Sequence, residues 1–180
     1  MNPGARLSER EQAWCLSVNR WGTRQAVRAY FRAVSRLGDG LFWYSLMALF
    51  TFWEGSRGLH AAAHMAIVGA CAALLYRRLK RWTRRPRPFT VDSRIRAWIA
   101  PLDEYSFPSG HTLHAVSFSA VAIAWYPGLA VVLLPFTLSV ALSRVVLGVH
   151  YPSDVLAAGA IGMALTALSF LLLPALVLPF

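Results

Sequence analysis

Between Glu104 and Arg144 the chain carries no Lys, Arg, Asp or Glu, and none follows Asp154. Runs of that length read as membrane spans, because a helix crossing a hydrocarbon layer of about 30 Å needs about 20 predominantly apolar residues. Composition agrees: 57% of the 180 residues are hydrophobic and only 14% charged, against about 25% charged in soluble domains. A soluble enzyme, a disordered tail and a disulfide-stapled secreted module are excluded. Cys15 and Cys71 are too far apart in sequence to suggest a redox framework or a zinc site. The net charge of +10 raises nucleic acid as a partner, but in so apolar a chain membrane phosphate groups are the expected partner and nucleic acid is not. The N-terminus lacks an early apolar region, so no cleaved signal is expected.

The expected fold is all-α, an integral membrane bundle of about five transmembrane helices preceded by an amphipathic interfacial helix. Residues 1–37 form that N-terminal segment and residues 38–180 the transmembrane domain. Ser8 is a plausible N-cap, and Arg24, Arg28, Arg32 and Arg36 recur every fourth residue opposite Ala26, Val27, Tyr30, Phe31 and Val34. Such a stripe suits a helix lying on anionic headgroups; a helix packed on its own bundle with a solvated basic face is the alternative. Spans are expected at 40–54, 59–76, 110–126, 128–147 and 154–175. The first is short, so it is expected to extend back through Leu37 and bury or half-bury Asp39. Residues 77–108, with nine Lys or Arg, read as a working loop.

Alternating the spans across the membrane brings three polar clusters to one face. Lys80 to Pro88 combines the point charge of Lys with the planar forks of Arg, which together can neutralise a phosphate-like oxyanion; a juxtamembrane basic stretch holding lipid has the same composition. Pro108-Ser109-Gly110-His111 opens an apolar helix. Ser109 suits the N-cap, Gly110 allows a ligand near the backbone, and free N–H groups at a helix start bind phosphate. His111 could donate a proton to a leaving alkoxide, although an ordinary capped helix reads alike. In Ser143 to Asp154, His150 could act as a nucleophile if Asp154, four residues on, fixes its tautomer. Arg144 would offset phosphoryl charge; an Arg144–Asp154 ion pair is the structural alternative.

Together these clusters resemble the type 2 phosphatidic acid phosphatase family, whose pattern is K-x6-R-P, then P-S-G-H, then S-R-x5-H-x3-D. Lys80 with Arg87-Pro88, Pro108 to His111, and Ser143-Arg144 with His150 and Asp154 match every position. The resemblance implies cofactor-free, metal-independent hydrolysis of a lipid phosphate ester or anhydride through a phosphohistidine. It makes His150 the nucleophile, Asp154 its orienting partner, and His111 the acid and then the base. Lys80, Arg87, Arg144, Ser109 and the Gly110 backbone would hold the phosphoryl oxygens. The implied substrates are phosphatidic acid, phosphatidylglycerol phosphate or undecaprenyl diphosphate, with the tail entering sideways between spans. The family also contains soluble vanadium haloperoxidases, which the composition disfavours. A lipid phosphoryl transferase and a non-catalytic anionic-lipid binder are the other classes.

A bacterial cytoplasmic (inner) membrane is the expected location. Of the 18 Lys and Arg, all but Arg57 fall on the face shared by the N-terminal segment and the motif loops, which the positive-inside rule makes cytoplasmic. The same alternation puts the C-terminus outside. His60 and His64 are expected to be structural rather than metal ligands, and His114 to pack. Phe42, Trp43, Tyr44, Phe52 and Trp53 are expected to form an interfacial belt.

Overall fold

Among the residues described by the computed structural model, 3–172, there are seven α-helices and no strand. They are α1 (Pro3–Asn19), α2 (Gln25–Leu37), α3 (Leu41–Thr83), α4 (Pro88–Val91), α5 (Gly110–Trp125), α6 (Ala130–Val146) and α7 (Pro152–Leu172). Helix α1 begins upstream of Ser8, with Pro3 at its first position, where a missing N–H costs nothing. Ser8 is therefore inside the helix and is not its cap.

Helix α3 consists of two limbs meeting at Gly55, whose φ of 55° and ψ of −124° leave the helical region. In an unbroken helix residues 50 and 58 would stand about 12 Å apart along the axis, yet a Cβ built on Gly58 would fall 1.8 Å from the Phe50 carbonyl oxygen. The chain doubles back there, and only glycine fits the crossing. Limbs 41–54 and 56–83 correspond to the first two expected spans, with two corrections. The second limb runs on to Thr83, because Arg77, Arg78, Leu79, Lys80 and Arg81 are good helix formers, so Lys80 stands on a helix and not in a loop. The first limb does not extend back through Leu37: α2 ends there, and residues 38–40 turn, with Gly40 at φ 123°. Asp39 lies in that turn with its side chain 37% exposed.

The chain is an integral membrane helical bundle. Leu41–Val91, Pro127–Val146 and Pro152–Leu172 are each long and apolar enough to cross a membrane. At 16 residues, α5 rises only about 24 Å and is enclosed by α3, α6 and α7. Small and hydroxyl side chains allow that close packing. The Ser119 and Thr137 hydroxyls lie 2.6 Å apart, and a Cβ on Gly162 would come within 3.1 Å of the Leu113 carbonyl. The last expected span matches α7 as far as Leu172; residues 173–175 and the C-terminus lie outside the described residues.

Trp43 departs from the expected belt. It is fully buried between Phe118 and Phe136, because the first limb turns that face toward α5 and α6. Tyr44, Phe52 and Trp53 remain exposed. Helix α2 packs Phe31, Val34 and Ser35 against the bundle, chiefly α6, and leaves Arg24, Arg28, Arg32 and Arg36 on the surface.

Candidate active site

The start and end of α3, the start of α5, the end of α6 and the start of α7 converge at one end of the bundle. The Gly55 turn lies at the other end, where Arg57 donates to the Trp125 carbonyl at 3.3 Å. At the convergent end a cavity of about 470 Å³ is lined by Lys80, Arg87, Gly110, His111, Arg144 and His150. Ser109 and Asp154 stand behind it, both fully buried.

Each position has a local cause. Ser109 caps α5, its hydroxyl accepting from the Thr112 N–H at 3.4 Å, which puts Gly110 and His111 in the first turn. The Ser109 N–H donates to the Asp154 carbonyl at 3.2 Å and so ties the start of α5 to that of α7. After α6 the chain turns through Gly148, at φ 76°, where a Cβ would meet the Arg96 carbonyl oxygen at 2.4 Å. That turn swings His150 back over Arg144, whose carbonyl accepts the His150 N–H at 3.2 Å.

His150 Nδ1 stands 3.5 Å from Asp154 Oδ2 and has no hydrogen-bond partner. Asp154 is held by two other donors: its Oδ2 accepts from the Tyr151 N–H at 2.8 Å and its Oδ1 from Arg85 at 2.7 Å. Arg85 also reaches Glu11 on α1 at 2.6 Å, and Glu11 accepts the Ser153 N–H at 3.1 Å. A chain Glu11–Arg85–Asp154, buried at both ends and half-buried at Arg85, thus supports the carboxylate facing His150. Burial, and then the neighbouring Arg144, Arg87 and Lys80, hold the His150 imidazole well below its ordinary pKa, so that it is neutral.

The three cations differ in their partners. Lys80 Nζ and Arg87 Nη2 each lie 2.7 Å from one oxygen, Oδ1 of Asp103. Burial raises the Asp103 pKa, but hydrogen bonds and charge from Lys80 and Arg87 outweigh it and hold the carboxyl below the usual range. Arg144 contacts the Ser35 hydroxyl through Nη1, while its Nε is buried and unpartnered. His111 contacts the Asp39 carboxylate through Nε2.

All eight residues singled out from the sequence therefore meet at one place, six of them on the cavity wall. Ser35, Asp39, Arg85 and Asp103 contact these residues and Glu11 contacts Arg85, and sequence reasoning does not single any of them out as a site residue. Asp39 and Arg85, a charge in a turn between apolar helices and an extra Arg inside the basic motif, carried the only hint. His114 also lines the cavity, with Nδ1 2.9 Å from the Gly110 carbonyl oxygen. His64, at the other end, is satisfied by the Ser169 hydroxyl at 2.8 Å and the Trp125 indole at 3.2 Å. Among the described residues no group of three His, Cys, Asp or Glu side chains is placed to hold a metal ion.

The family model described as the PAP2 superfamily matches residues 57–177. A lipid A 1-phosphatase of Rhizobium johnstonii is 32% identical over 130 residues, covering 68% of this chain and 50% of that protein. The chain thus spans about half the length of that relative. A decaprenylphosphoryl-5-phosphoribose phosphatase of Mycobacterium tuberculosis is 34% identical over 151 residues, covering 80% of this chain and 77% of that one. In fold, the chain resembles the crystal structure of Aquifex aeolicus LpxE, with a TM-score of 0.77 and 21% identity over 88% of this chain and 93% of that one. It also resembles the Bacillus subtilis PAP2 type phosphatidylglycerolphosphate phosphatase, with a TM-score of 0.69 and 23% identity over 88% and 83%.

Proposed function

Because the chain belongs to the PAP2 superfamily, we propose that it is a metal-independent phosphatase of a membrane lipid phosphate, working through a phosphohistidine. One observation carries this reading. His150 and the cations Lys80, Arg87 and Arg144, from three separated stretches of sequence, line a single cavity. The Mycobacterium and Rhizobium relatives are named as phosphatases of a decaprenylphosphoryl compound and of lipid A, which favours a phosphomonoester on a lipid-anchored molecule. Phosphatidic acid and phosphatidylglycerol phosphate fit that class, and undecaprenyl diphosphate is the anhydride counterpart.

In the first step His150 Nε2, the ring nitrogen not facing Asp154, attacks phosphorus. The bond from phosphorus to the lipid oxygen breaks, and His111 gives that oxygen a proton. Asp154 favours the proton on Nδ1 and stabilises the charge that develops on the ring, closing the 3.5 Å gap as it does so. The three cations and the Gly110 N–H stabilise the equatorial oxygens, the largest expected contribution in phosphoryl transfer. Water then attacks the phosphohistidine, the P–N bond breaks, and His111 takes the proton.

The cavity continues from the phosphoryl end between Tyr44 and Met47 on the first limb of α3 and Ala66, Ala70 and Ala73 on the second. These apolar walls suit a lipid chain entering from the side. A bacterial cytoplasmic membrane is the location its bacterial relatives suggest, and the 17-to-1 charge distribution favours the site on the cytoplasmic face.

The test is phosphate release by the purified full chain from a panel of lipid monophosphates and diphosphates in detergent, with excess chelator. Release that persists with chelator and disappears in His150→Ala supports the reading. Dependence on an added divalent metal, or substantial activity in His150→Ala, removes it.

A further inference from the structure

Asp103 lies where the phosphoryl group should go. It belongs to the connection between α4 and α5, and its side chain, 38% exposed, lines the cavity. Its Oδ1 takes one hydrogen bond from Lys80 and one from Arg87, both at 2.7 Å, and its backbone carbonyl takes another from Arg87 Nε at 3.1 Å. One anionic oxygen bridging an ammonium and a guanidinium is the arrangement a phosphoryl oxygen would adopt between them. Two anionic oxygens cannot share that place, since each would occupy the same donors and like charges so close repel. Arg144, across the cavity, has no carboxylate partner and keeps an unpaired Nε.

We propose that Asp103 is a resident competitor for the phosphoryl subsite, a carboxylate that substrate must displace from Lys80 and Arg87 and that returns to expel the phosphate product. This rests on the phosphatase reading above. Displacement costs every anion the same, so it moves thresholds and leaves ratios of affinity alone. A lipid phosphate offsets the cost by burying its chain against the Met47 and Ala70 wall. Free phosphate has no chain to bury, and its affinity falls out of the range in which it would block turnover. In population terms, the subsite is open only while Asp103 is swung out, and every apparent dissociation constant is raised by the inverse of that fraction.

The test compares wild type with Asp103→Asn, which keeps the side-chain shape and the backbone contacts, and with Asp92→Asn. Asp92 lies in the same connection but is paired to exposed Arg94, away from the cavity. The assay is hydrolysis of a short-chain phosphatidic acid by full-length protein in detergent, inhibited by orthovanadate and by inorganic phosphate. In Asp103→Asn both inhibition constants should fall by about tenfold, KM should fall with them, and kcat should not rise. Asp92→Asn should match wild type. If Asp103 merely anchors the loop, removing its charge loosens Lys80 and Arg87 and both inhibitors bind more weakly; weaker or unchanged inhibition overturns the proposal.

A measurement on wild type covers the case in which the variant does not fold. Amide hydrogen exchange in residues 101–106 should quicken when vanadate saturates the site, because Asp103 is released; slower or unaltered exchange overturns the proposal. Wild type that neither hydrolyses a lipid phosphate nor binds vanadate defeats the phosphatase reading itself. Wild type that does both, beside an Asp103→Asn that binds vanadate more weakly, defeats only the competitor.

Discussion

Arg85 Nη1 lies 2.7 Å from Asp154 Oδ1, the carboxylate oxygen that does not face His150. That contact fixes the angle from which Asp154 meets the histidine, and Glu11 on α1 in turn fixes Arg85. Arg85→Met keeps most of the unbranched stem of the side chain and removes the guanidinium with its charge. Of the bonds lost, the charge-assisted one to Asp154, about 1.5–3 kcal/mol, bears on the histidine, so kcat should fall about 10- to 100-fold and KM stay within a factor of a few. Glu11→Gln should act in the same direction and less strongly. Steady-state kinetics on folded, detergent-purified variants checks both; a rise in KM at constant kcat would make Arg85 a substrate ligand instead.

The pH dependence follows from His150. Its folded pKa is depressed, so below about pH 6.5, the ordinary imidazole value, the unfolded chain binds a proton that the folded chain does not. Stability from this group is complete above that pH and is lost as pH falls toward the folded value. His150→Gln should therefore lose less of its unfolding temperature than wild type between about pH 7 and about pH 5.5. Because the nucleophile stays neutral under mild acid, the acid limb of kcat/KM assigned to His150 should lie below about pH 6.5. An identical acid shift in unfolding temperature for the two proteins would separate His150 from the effect.

Gly148→Ala should damage the fold and the site together. A residue with a Cβ at φ 76° carries the left-handed penalty of about 1–2 kcal/mol, and here the methyl would also press within 2.4 Å of the Arg96 carbonyl. The expected result is a lower unfolding temperature and a lower kcat, since relief of the clash rotates the turn that delivers His150. A variant with wild-type stability and reduced kcat would show that the turn relaxes locally.

Membrane orientation can be read with single cysteines in a background lacking Cys15 and Cys71. One cysteine goes in the connection between α4 and α5 and one near Phe180. With the site on the cytoplasmic face, an impermeant thiol reagent applied to intact cells should leave the connection unlabelled. Labelling there would put the site outside and assign the arginines to substrate, not to topology.

The residues legible in the sequence are those whose relation is local or set by a span. His150 and Asp154 are four apart, Ser109 to His111 share one helix start, and Arg144 is delivered by the length of α6. What escaped notice depends on how connections fold back. Asp39 reaches His111 only because the chain turns at Gly38–Gly40 instead of continuing as helix, a choice between two local structures for a short apolar segment. Asp103 meets Lys80 and Arg87 across gaps of 23 and 16 residues that no periodicity governs. Glu11 stands more than seventy positions from Arg85, and α1 carried only an ordinary mixture of charges. The extension of the second limb to Thr83 is hidden in the sequence because the loss of apolar residues after Tyr76 marks the end of the membrane layer, not the end of the helix.

The reversal of α3 at Gly55 gives the cavity two walls from one continuous helix pair, with the Asp39 turn and Lys80 at its phosphoryl end and apolar side chains beyond. A lipid phosphate bound as proposed would keep its chain within the layer that dissolved it, so encounter would occur by diffusion in two dimensions. The quantity that saturates the enzyme is then the mole fraction of substrate in its micelle or bilayer. Diluting substrate with inert detergent at fixed bulk concentration slows turnover, whereas diluting the whole suspension with buffer leaves the rate per enzyme nearly constant.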